Sequence, residues 1–141
     1  YGDMIIFMNG SEEVYCYVNR SDNTYTIATM SKFSGLTFTG THKDVWNDDE
    51  PISFTFDSGV LITGTVKFGY SSSYTTTFSG TLSGDTLVIT ITKELYSSGL
   101  LNKTATFKVE NGKLTCVDTQ LGSGTYKIQK GTVVTNSSFV A

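Results

Sequence analysis

Hydrophobicity along this chain repeats every two residues. Ile52, Phe54 and Phe56 alternate with Ser53, Thr55 and Asp57, and Val60, Ile62, Gly64, Val66 and Phe68 alternate with Leu61, Thr63, Thr65 and Lys67. The runs Leu87, Ile89, Ile91 and Ala105, Phe107, Val109 repeat the pattern. Successive side chains of a strand point to opposite faces, so each run predicts a strand with one dry and one wet face. No ten-residue stretch carries a convincing 3.6-residue period, so no helix is predicted.

Short turn signals separate the runs. Asn9-Gly10 and Asn111-Gly112 are favoured two-residue hairpin dipeptides, whose central positions need positive φ. Asp57-Ser58-Gly59 and Ser83-Gly84-Asp85 read as slightly longer hairpins. The predicted strands lie near 4–8, 13–19, 24–30, 33–40, 52–57, 60–68, 74–81, 86–93, 103–110, 113–118 and 124–129, with a further one at 132–140. No linker divides them, so residues 1–141 read as a single all-β domain. About ten to twelve short strands joined by tight turns form an antiparallel meander. Such a meander hides its edges as a closed barrel or a two-sheet sandwich.

The segments FTFDSGVLITGTVKF, FSGTLSGDTLVITIT, ATFKVENGKLT and GSGTYKIQKG resemble the hairpins of small secreted lipocalin-like (calycin-type) domains, over roughly residues 50–131. The resemblance implies a barrel and, as one function, carriage of a small apolar ligand. No binding residue is carried over from it, because Trp46 follows Asp44-Val45 instead of standing in the family's Gly-x-Trp.

Composition narrows the partners. The net charge is −3, with no Lys/Arg cluster. Phosphate backbones are bound by clustered cations, so nucleic acid is excluded as a partner. The longest strongly apolar run, Met4 to Met8, falls far short of the roughly 20 residues that span a bilayer, so no membrane insertion is expected. A chain that starts at Tyr1 without a leader is expected to be a processed product or a cut fragment. Cys16 and Cys116 each sit in an apolar phase, as a disulfide or as two buried thiols. Exported domains favour the disulfide. The sequons at Asn19, Asn102 and Asn136 point the same way, to a secreted or cell-surface glycoprotein.

Candidate chemistry gathers in THKDVWNDDEP, residues 41–51, which holds the only His, Trp and Pro of the chain. Asp44, Asp48, Asp49 and Glu50 offer hard oxygens of the kind calcium takes, though without the glycine-centred order of an EF-hand. The plainer reading is a solvated connection, with no cofactor at all. Trp46 reads either as a cap on the core or as an exposed platform for a sugar or protein. His42 is the only imidazole, and nothing like G-x-S-x-G accompanies it, so no enzyme is expected. Tyr70 and Tyr74 flank a serine run, FGYSSSY, with the chemistry of recognition loops or simply of a flexible hairpin. Thr-x-Thr rows such as Thr63/Thr65 and Thr90/Thr92 belong to the wet faces. The expected function is therefore non-catalytic: recognition, adhesion or structural assembly through loops and strand edges. The partners are protein or carbohydrate at a surface, or a second copy. Apolar-ligand carriage is the alternative, and Phe33, Phe38, Phe54, Phe56, Phe68, Phe78 and Phe107 are bulky enough to fill a small barrel.

Overall fold

A computed structural model describes the backbone of residues 2–9, 12–19, 24–29, 31–122 and 124–136, and the side chains from residue 31 onward within those ranges. The antiparallel meander is present. Three strands, β1 (Gly2–Asn9), β2 (Glu12–Asn19) and β3 (Thr24–Thr29), form one sheet in the order β1-β2-β3. The register sets Ile5, Cys16 and Ile27 in one row across it.

The remaining eight strands form a closed barrel, which decides between barrel and sandwich. They are β4 (Thr37–Lys43), β5 (Asp49–Phe56), β6 (Ile62–Phe68), β7 (Thr75–Ser83), β8 (Thr86–Ile91), β9 (Thr104–Glu110), β10 (Lys113–Thr119) and β11 (Val133–Thr135). Each pairs antiparallel with the next, and β11 returns to β4 through Val134↔Gly40 and Thr135↔Thr39. Gly40 makes this closure possible, since a Cβ there would run into the Val133 carbonyl.

An eight-stranded barrel is just wide enough for its inward side chains to fill. Here phenyl rings do so. Phe33 stacks on Phe56 at 4.9 Å, Phe56 meets Phe78 edge-on at 5.3 Å, and Phe54 touches both Phe78 (5.9 Å) and Phe107 (5.5 Å). Ile52, Val66, Leu87, Ile89, Ile91, Leu114 and Val134 complete the interior.

The strand expected at 33–40 begins only at Thr37 and runs on to Lys43, and the one expected at 124–129 is absent. Residues 33–36 turn beneath the barrel instead of extending β4. Phe33 closes that end, held by Ser31 N–H to Gly59 O (3.0 Å) and Phe56 N–H to Leu36 O (2.8 Å). Residues 124–129 are bends that cross the other end, burying Ile128 beside Leu121. Both segments carry the apolar residues of a strand but spend them on closing the barrel ends. The sequence-expected strand at 132–140 is observed as Val133–Thr135, and residues 137–140 lie outside the described residues.

Candidate functional site

The strand directions place four connections at one end of the barrel: residues 44–48, 69–74, 92–103 and 120–132. Among the described residues of the barrel, the opposite end carries short turns and the Phe33 plug. The stretch 41–51 divides accordingly. Thr41–Lys43 end β4, Asp49–Pro51 begin β5, and only 44–48 is a turn. Pro51 sits just beyond the β5–β6 ladder, which starts at Ile52↔Phe68, and its missing N–H leaves that ladder intact.

The four acidic residues do not converge. The Asp44 carboxylate accepts from the Trp46 and Asp48 N–H groups, both at 2.9 Å, and so folds the turn. Asp49 pairs with Lys43 at 2.7 Å, which raises the lysine's pKa, and Glu50 faces His42. Among the described residues no group of three or more His, Cys, Asp or Glu side chains is placed to hold an ion. The calcium reading thus has no cluster to rest on: β4–β5 pairing sets the carboxylates on separate partners.

Trp46 is 80% exposed at the hairpin tip, and Tyr70 is 87% exposed. His42 lies on the inner face of β4, 3% exposed, with its ring edge-on to Phe68 at 5.7 Å. It is a buried polar residue of the barrel. Its Nε2 stands 3.5 Å from Glu50 Oε1, too far for an aligned hydrogen bond, and neither ring nitrogen has a hydrogen-bond partner among the described residues. Burial holds its pKa below 6.5, outweighing the opposing charge of Glu50.

Above this pair three tyrosines from three different loops come together. Tyr126 packs against Phe68 (5.9 Å) and Tyr74 (5.6 Å, rings at 48°), and Tyr74 meets Tyr96 at 6.3 Å and 73°. Partial burial raises the Tyr126 pKa, helped by Tyr74, Tyr96 and Glu50. Tyr96 has a φ of 53°, rare for an aromatic residue. Its loop is pinned by Glu94, whose carboxylate accepts from Ser98 Oγ (2.7 Å) and Gly99 N (3.0 Å); these bonds lower the Glu94 pKa. Sequence reasoning singled out Tyr74 but missed Tyr96 and Tyr126. The segment LYSSG, residues 95–99, shares the Tyr-Ser composition of residues 70–74 and was the available signal.

Cys116, expected in a bridge to Cys16, is a free thiol. It faces the barrel interior beside Leu114, donates to the Asp118 carbonyl at 3.4 Å, and has its pKa pushed up to about 11 by burial. The Cys16 side chain lies outside the described residues. Of the sequons, Asn102 is exposed in a turn and Asn136 is buried at the plugged end, beside a pocket of about 280 Å³ lined by Phe33, Leu36 and Val109. The Asn19 side chain lies outside the description.

Fold and site together define a class, an eight-stranded antiparallel closed barrel with a tyrosine-lined loop end. Compared with known proteins, the chain matches no family model, no curated protein and no solved structure.

Proposed function

We propose that this chain is a non-catalytic recognition barrel of the cell exterior, lipocalin-like in architecture, that binds a surface protein or carbohydrate through its loop end. One observation carries the reading. Val45, Trp46, Tyr70, Tyr74, Tyr96 and Leu101 are all exposed at that end, whereas exposed Leu61 lies at the other end and Val117 and Val133 lie on the wall. Six of the nine large apolar side chains exposed among the described residues thus share one end, and apolar surface concentrated in this way marks an interaction site. Tyr and Trp give rigid contact area at low entropic cost. The phenyl rings packed through the barrel's centre weigh against apolar-ligand carriage there, and the alternative is left with the pocket of about 280 Å³ at the plugged end, at the lower limit of roughly 300 Å³ for such sites. In the exported setting of this proposal, Asn102 is better placed than the buried Asn136 to carry a glycan.

The test is binding of labelled protein to an array of glycans and extracellular-matrix proteins. The double variant Trp46→Ser, Tyr70→Ser should lose the signal, while Leu61→Ser at the far end keeps it. Exposed substitutions of this kind change stability by only about 0.5 kcal/mol, so loss of folding does not confuse the result. No bound partner on the array, or equal binding by all variants, refutes the proposal.

A further inference from the structure

The first strand departs from the pattern that the barrel strands keep. In β5, buried Ile52, Phe54 and Phe56 alternate with Ser53 and Thr55, which keep contact with solvent. In β1 five apolar residues follow one another, Met4-Ile5-Ile6-Phe7-Met8, so apolar residues stand on both of its faces. A strand of that composition belongs where neighbours cover it on both sides. Yet among the described strands β1 pairs with β2 alone and forms an edge of its sheet. Edges are commonly guarded by a lysine, a proline, a bulge or short length. Residues 2–9 contain no Lys, Arg or Pro, and the ladder to β2 runs from Gly2↔Asn19 to Asn9↔Glu12 with no register shift. The other edge, β3, is shorter, and Thr24, Thr26 and Thr29 interrupt its apolar residues.

The order of residues in β1 also says what fits against it. When the strand is laid antiparallel beside a copy of itself about Ile6, Ile6 stands opposite Ile6, Ile5 opposite Phe7 and Met4 opposite Met8. Asp3, the one charged residue of the strand, then stands opposite the neutral Asn9. Moving the register by two residues sets Phe7 against Asp3 in one direction and Ile5 against Asn9 in the other. An in-register parallel pairing sets Asp3 against Asp3, and like charges directly opposite are destabilising. The register about Ile6 is thus the one that matches apolar with apolar and leaves the charge unopposed. It also joins the face of Ile5 and Phe7 in the two copies, and the rows of that face continue through Val14 and Cys16.

We propose that β1 is a self-association edge, at which two copies of this chain pair antiparallel about Ile6 into one sheet of order β3-β2-β1-β1-β2-β3. The arrangement has twofold symmetry, so it uses up the β1 edge of both copies and closes at the dimer. Main-chain hydrogen bonds supply the affinity, and the alternate apolar residues fix the register. The contact is small beside the roughly 20–30 residues a side of a stable interface, so the dimer should dissociate on the order of 10–100 µM. This inference goes beyond the loop-end reading and does not depend on it.

The test is sedimentation of the full chain from about 5 µM to about 1 mM, a range that brackets the expected dissociation constant. The mass should rise from monomer to dimer and stop there. Ile6→Lys sets two like charges against each other at the twofold axis and should weaken the dimer about tenfold or more. Ala28→Lys places the same charge in the same row at the other edge, since Ile6 pairs with Tyr15 and Tyr15 with Ala28, and should dimerise as the native chain does. A gain of signal guards against a variant that merely disturbs the sheet. Ile6→Cys should form a disulfide between copies on mild oxidation, mapped to that position by peptide analysis. Phe7→Cys should not, because only residue 6 stands opposite itself and Cα atoms beyond about 7 Å cannot be bridged. A native chain that stays monomeric to about 1 mM, or that grows past the dimer, overturns the proposal. So does equal weakening by Ile6→Lys and Ala28→Lys, or equal cross-linking of the two cysteine variants.

Discussion

At the scale of single residues, His42 shows how burial, not type, sets a side chain's role. As the only imidazole in an acidic stretch it was a natural ligand candidate, yet its alternation with Phe38 and Gly40 on β4 turns it into the barrel. There Phe68 covers it from β6, Glu50 faces it from β5, and Lys127 acts on it from the loop before β11. Its folded pKa is depressed below 6.5, so the unfolded chain binds the proton more readily. The stability His42 contributes is complete above pH 6.5 and is lost as the pH falls through the folded-state value. Thermal melts between pH 8 and pH 5 should therefore fall more steeply for the native protein than for His42→Phe, which keeps an aromatic ring and removes the titration. Parallel curves for the two proteins would show that His42 is not the group responsible.

At the scale of elements, the seam between β4 and β11 is the point on which the barrel depends. It consists of two residue pairs, and it exists because Gly40 lets the Val133 backbone approach. Gly40→Ala should cost about 3 kcal/mol, since neither backbone can give way without opening the ladder. That corresponds to a melting-temperature loss of roughly 10 °C. Gly122→Ala is the matched control. The nearest atom to a Cβ there is Thr119 Cγ2 at 3.9 Å, an ordinary contact, so its melting temperature should be unchanged or slightly higher. A Gly40→Ala protein as stable as the native one would mean that the closure does not govern stability.

At the scale of the whole molecule, the ladders divide into the β1-β2-β3 sheet and a barrel that closes within β4–β11, and among the described side chains the barrel's core draws on residues 33–134. A chain of residues 31–136 should therefore fold by itself and melt cooperatively. In the three-stranded sheet, β1 and β3 each have a single hydrogen-bonded neighbour, and an unpaired edge invites another strand. Light scattering should accordingly show residues 31–136 monomeric, with any self-association confined to the full chain. A fragment that fails to fold would show that β1–β3 complete the barrel's core.

The sequence by itself determined the strands from β1 to β10, the dry faces of those in the barrel and most hairpins. The physical reason is local: a period of two and turns such as Asn111-Gly112 act over a few residues. It did not separate barrel from sandwich, because both ask each strand for one dry face. The β4–β11 pairs, Gly40 with Val134 and Thr39 with Thr135, decide, and no local pattern encodes a contact between residues so far apart in the chain. The same limit hid the site. Trp46 and Tyr70 were legible as loop aromatics, but Tyr96 and Tyr126 join Tyr74 only after the barrel brings the 92–103 and 120–132 loops to one end. The apolar runs at 33–36 and 124–129 read as strands for the same reason. Composition records that a segment must be buried, and only the tertiary structure decided that these two would be buried by closing the barrel's ends.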